Sequence, residues 1–189
     1  MNELIYNYKS TNLKIQTKMK QIAKFFAFAI VLIAFTTNAI AQVTATATAA
    51  ATIITPIAIS KTADMNFGNI AVNASLGTVA LPAAAAPVRT VTGGCTLPTT
   101  AGTVAAATFT VSGQPGFTYS ILLPASVSLT GPGPAMTADT FVSSPTVAAG
   151  GLLTGGSETL YVGATLHVAA SQTAGAYISA AFNVTVNYN

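Results

Sequence analysis

The stretch "FNVTVNYN", residues 182–189, places Phe182, Val184, Val186 and Tyr188 on one parity and Asn183, Thr185, Asn187 and Asn189 on the other. Successive side chains of an extended chain point to opposite faces, so a strict period of two marks a strand with one apolar and one polar face. A helix would scatter the same residues around its circumference. The reading therefore expects a β-strand here, with no later strand to pair its outer edge.

A second two-fold pattern opens "QVTATATAAATIITPIAIS", residues 42–60. Val43, Ala45, Ala47, Ala49, Ala51 and Ile53 share one parity, and Thr44, Thr46, Thr48 and Thr52 share the other. No Gly or Pro bends this run back before Pro56. Its apolar face is mostly alanine, which packs weakly at the edge of its own sheet but fits a narrow pre-formed groove.

Between these ends, strands are expected over 65–72, 77–81, 88–94, 107–113, 118–124, 159–170 and 176–189. Gly and Pro cluster between them, and "LTGPGPAM" (129–136) is expected as a surface turn, because proline cannot donate to a central ladder. Little or no helix is expected after residue 41. Short alternating runs punctuated by turns point to an all-β sandwich or barrel. A threonine-rich β-solenoid is the architectural rival, but the Gly pairs at 93–94, 150–151 and 155–156 show no constant spacing.

Residues 25–35, "FFAFAIVLIAF", are an uncharged apolar run preceded by Lys18, Lys20 and Lys24 and followed by Ala39-Ile40-Ala41. That order describes a secretory signal peptide cut after Ala41. The run is too short for a membrane span, which needs about 20 residues. Residues 1–18 read as an extended basic region or an over-long start, since Met19 alone begins a well-formed signal. Beyond residue 41 the charges are Lys61 and Arg89 against Asp64, Asp139 and Glu158, a net charge of −1. The basic balance belongs to the leader, and residues 42–189 have no electrostatic footprint for nucleic acid or an anionic membrane surface. Cys95 is the single cysteine, so no intrachain disulfide can form, and a buried thiol is expected.

The inventory for chemistry is thin. His167 is the only histidine, at an alternating position of a strand, and the three carboxylates are far apart in sequence. There is no serine elbow, phosphate-binding glycine loop, zinc spacing or calcium loop, so the reading expects no enzyme, cofactor or metal.

"ATIITPIAISKTADMNFGNIAV" (51–72) and "GATLHVAASQTAGAYISAAFNVTVNYN" (163–189) resemble a secreted bacterial domain family of unknown function that is placed beside the Mat/common-pilus fimbrillins. "MNFGNI" (65–70) and the terminal "AGAYISAAFNVTVNYN" (174–189) carry the resemblance, which spans residues 42–189. It implies an immunoglobulin-like pilin subunit, exported to the periplasm, held by a chaperone and assembled at an outer-membrane usher. It further implies that Phe182, Val184, Val186 and Tyr188 form the strand read by the chaperone and lining the acceptor groove. Many chaperone-usher pilins carry an intradomain disulfide, and this chain departs from them there.

The expectation is thus a leader over 1–41, a donor segment over 42–54 and an incomplete immunoglobulin-like sandwich over 55–189. A missing strand is an aggregation hazard unless it is supplied. Supply by the next subunit is a non-closing contact that builds a surface fimbria, with adhesion or biofilm formation as the consequence. The rivals are a monomeric secreted or cell-surface binding module that folds back its own first strand, and the solenoid surface binder.

Overall fold

The computed structural model describes residues 14, 16–27 and 42–189, and the chain divides into two units, residues 1–50 and 51–189. In the first unit, residues 16–27 are helical and exposed. Among the described residues no helix is long and apolar enough to cross a membrane. The rest of the apolar run, with Ala39 and Ala41 of the expected cleavage site, lies outside the described residues.

The second unit is built from β1 (Ala58–Ala63), β2 (Ala71–Leu81), β3 (Thr90–Thr96), β4 (Ala107–Ser112), β5 (Thr118–Leu122), β6 (Ser126–Thr130), β7 (Met136–Ser144), β8 (Gly151–Leu152), β9 (Ser157–Val168), β10 (Ile178–Ser179) and β11 (Thr185–Tyr188). The larger sheet runs β1-β4-β9-β7-β6-β10, with β2 also paired to β9 and to β3. The smaller sheet runs β11-β5-β8. Each of these pairings is antiparallel, so the fold is an all-β sandwich and not a coil of parallel solenoid turns.

β9 is the spine because it pairs along its length on one side and over residues 161–167 on the other. Its first half meets β4, its second half meets β2, and β7 covers the opposite side. Leu160, Val162, Ala164, Leu166 and Val168 all point inward at a period of two. Leu160 and Val162 belong to a core with Val111, Tyr119, Ile121, Leu153 and Val186, which joins the two sheets. Ala164, Leu166 and Val168 belong to a second core with Val79, Leu81 and Met136. Gly163 sits at the change of partner, where a Cβ would collide with the backbone of residues 81–83 as it crosses β9. Cys95 is free and buried, and burial pushes its thiol above its usual range.

The structure corrects several boundaries. "MNFGNI" is a loop, not the start of a strand. Asn66 makes an isolated bridge to Ala105, its side-chain oxygen accepts the Gly68 N–H at 2.8 Å, and Gly68 takes φ +66°. That Asx turn diverts the backbone from extension. Arg89, 8% exposed, donates to the Phe67 carbonyl and, at 2.8 Å, to that of Asn69, clamping the loop from inside. Residues 176–189 form two short strands rather than one, because the chain leaves β6 of the large sheet after β10 and joins β5 of the small sheet at β11. The first strand lies after Pro56, and the sequence reading did not name β1, β6, β7 or β8. "LTGPGPAM" is the turn between β6 and β7, as expected.

Candidate functional site

β11 and β1 are the outer strands of the two sheets: β11 pairs only β5 and β1 pairs only β4 among the described residues. They run close to each other without forming a ladder. This leaves a seam between two free strand edges. Its walls are apolar and half-buried. Ile57 and Ile59 on one side and Phe182, Val184 and Tyr188 on the other pack against the inter-sheet core, with Val186 buried beneath them.

The alternation read at 182–188 is realised side chain by side chain. Phe182, Val184, Val186 and Tyr188 turn inward, while Asn183, Thr185, Asn187 and Asn189 are exposed. Only residues 185–188 are paired, in register Thr185↔Leu122 to Tyr188↔Tyr119. Residues 180–184 are the crossing between sheets and belong to no ladder. Beside them lies a cleft of about 390 Å³ lined by Leu122, Leu123, Val127, Phe182 and Asn183 among others. The Phe182 ring meets Phe141 of β7 at a tilt of 55° with ring centroids 5.4 Å apart.

Tyr188 closes one end of the seam. Its hydroxyl donates to the Thr55 carbonyl at 2.8 Å and accepts the Gln114 N–H at 2.6 Å. The Gln114 side-chain oxygen in turn accepts the Thr55 N–H at 3.1 Å. These three bonds form a closed ring that sets where the backbone enters the sandwich. The Tyr188 ring also meets Phe117 edge-on at 5.6 Å, an arrangement favoured by the aromatic quadrupole. Gly113 is required beside it, since a Cβ there would overlap the hydroxyl.

Val43, Ala45, Ala47, Ala49, Ala51 and Ile53 lie outside every named strand and are exposed, with Val43 at 92% and Ile53 at 93%. The structure therefore brings Phe182, Val184, Val186 and Tyr188 together at one site. Thr55 is held at that site by its bonds to Tyr188 and Gln114, and Ile57 and Ile59 pack against the same core.

Other polar groups support this frame. Tyr119, fully buried opposite Tyr188, donates its hydroxyl to Glu158 at 2.9 Å, and the same carboxylate oxygen accepts the Leu152 N–H at 3.0 Å. Burial, then the bond to Glu158, pushes the Tyr119 phenol far above its usual range. Glu158 so ties β8 to the spine. On the large sheet His167 Nε2 lies 2.8 Å from Asp139 Oδ1, and this bond, with one from Thr140, holds the Asp139 carboxyl below the usual range. Sequence reasoning missed Gln114, Phe141, Arg89 and both pairings. The turn signal "SGQPG" marks the vicinity of Gln114, but nothing local marks the others.

No curated protein and no solved structure matches this chain. The model of the family described as Domain of unknown function (DUF4402) matches residues 57–188, a span that takes in all the strands from β1 to β11, and the chain belongs to that family.

Proposed function

We propose that this protein is an exported structural subunit of a surface filament, in which residues 42–54 of one copy occupy the seam between β1 and β11 of the next. One observation carries the reading: two adjoining strand edges are unpaired, and the apolar residues between them are only half-buried. Cα atoms of the two strands approach within 8 Å, less than the roughly 9.6 Å that an intervening strand needs, so an extended segment entering there parts β1 from β11, satisfies two rows of backbone groups and covers Ile57, Ile59, Phe182 and Val184. Each methylene-sized group it buries contributes about 0.8 kcal/mol. Residues 43–53 supply a narrow alternating face and are exposed. The matched family span begins at residue 57, after this segment.

Identical subunits are then the principal partners. A periplasmic chaperone would cover the seam before assembly, and an outer-membrane usher would order the subunits. One donor and one groove per copy give an open chain rather than a closed ring. Adhesion or biofilm formation follows at the cell surface.

Deletion of residues 42–54 tests the proposal. The truncated protein is expected to fold and to form no filaments in electron micrographs of sheared surface material. A truncated protein that fails to fold would instead place the segment in its own core, as in a monomeric surface module.

A further inference from the structure

The ladder between β7 and β9 slips at one point. Asp139 pairs with Thr165 and Val142 with Gly163, so two residues of β7, Thr140 and Phe141, stand against one of β9. This is a β-bulge. Its consequence is a change of parity. Before it, Met136 and Ala138 point inward, and after it Phe141 and Ser143 do. Without the bulge Phe141 would face solvent.

The bulge is built at a conformational cost. Thr140 takes φ +48°, a region that β-branched residues avoid. It is pinned by two bonds: the Thr140 hydroxyl to Asp139 at 3.0 Å, and Asp139 to His167 of the spine at 2.8 Å. Observed backbone strain of this kind persists where the surroundings over-determine it, and it points to a role. The inward ring of Phe141 touches both cores and meets the Phe182 ring at a tilt. Phe182 in turn lies in the unladdered crossing 180–184 and lines the cleft beside β11.

We infer that Phe141 is a positioning residue of the seam: the pinned bulge turns its ring inward, and the ring holds Phe182 and the crossing 180–184 in the geometry that admits a strand from a second copy. This rests on the filament reading above and adds a residue on β7, a strand that does not border the seam, on which the seam depends. The crossing has no ladder of its own, so side-chain packing sets its path: Phe182 and Val184 against the inter-sheet core, and the Phe141 ring against Phe182.

The test uses the full chain carrying Ala47→Asp, which keeps each copy's own segment out of its neighbour's seam, and a fluorescent peptide with the unaltered sequence of residues 42–54. This parent chain binds the peptide. Adding Phe141→Ala is expected to weaken binding about tenfold, the scale of losing one buried aromatic contact at a recognition surface. Leu166→Ala, a core truncation on β9, should lower Tm at least as much yet keep affinity within about twofold, because Leu166 does not line the seam. Thr140→Gly should also stay within about twofold, since glycine takes the same backbone without the strain that the hydroxyl bond to Asp139 holds in place. Equal peptide binding by the parent and Phe141→Ala overturns the positioning role, as does an equal loss in Leu166→Ala. Failure of the parent chain to bind the peptide overturns the filament reading itself, and that arm reports it separately.

Discussion

Residues 43–53 alternate threonine with alanine, and residues 182–188 alternate asparagine and threonine with phenylalanine, valine and tyrosine. Both runs keep the period of a strand. In the folded chain the second turns its apolar residues into the core and ends in β11, whereas the first is exposed and belongs to no strand. The difference lies in side-chain size. Ordering one residue costs about 1–2 kcal/mol of backbone entropy, and an alanine returns less than that by burial. Val186 and Tyr188 bury enough apolar area, against Tyr119 and Ile121, to offset the ordering. An alanine face needs a ready-made ladder and groove to become a strand. Periodicity therefore says that a segment is able to be a strand, and the apolar volume on its inner face says whether it becomes one unaided.

A charge placed in each run separates the two cases most strongly. Val186→Asp puts a carboxylate into a site 7% exposed and is expected to cost about 3–5 kcal/mol or to prevent folding, as read by urea denaturation. Ala47→Asp sits on the exposed run and should change stability by less than about 0.5 kcal/mol while abolishing filaments. Unfolding by Ala47→Asp would erase the distinction between the runs.

An intermediate effect is expected where the runs meet. Tyr188→Phe keeps the ring against Phe117 but leaves the Gln114 N–H and the Thr55 carbonyl without their partner. A loss of about 1–2 kcal/mol in thermal or urea unfolding is expected. No loss would mean that the ring of three bonds does not hold the entry point.

The smallest effect at neutral pH concerns the strand on which β11 rests. The Tyr119 phenol ionises well above its usual range in the folded protein. Its contribution is complete below the unfolded phenol's pKa of about 10 and is lost as pH rises past it, because the unfolded chain then binds fewer protons. Tyr119→Phe should flatten that alkaline loss. Asp139 has the opposite sign. Its carboxyl is held low by His167 and Thr140, so its contribution is present above the unfolded carboxylate pKa of about 3.9 and lost as pH falls below it. An Asp139→Asn chain should lack this acid dependence in a pH series of melting curves.

The alternation at 182–188 and along 159–168, the turn "LTGPGPAM", and the absence of helical period after residue 41 were legible in the chain alone, because facing and turning are local properties of two to four residues. They were enough for an all-β sandwich and for the inward set Phe182, Val184, Val186 and Tyr188. What could not be read was partnership. That β11 joins β5 while β10 joins β6, that β1 and β11 adjoin unpaired, and that Phe141 reaches Phe182 through a bulge at Thr140 all depend on residues far apart in the chain, from Phe141 and Phe182 at 41 positions to Thr55 and Tyr188 at 133. Register and sheet exchange are settled by the packing of the whole core, where a shift of one residue turns every side chain to the other face. The local pattern could not decide which edges would be left open.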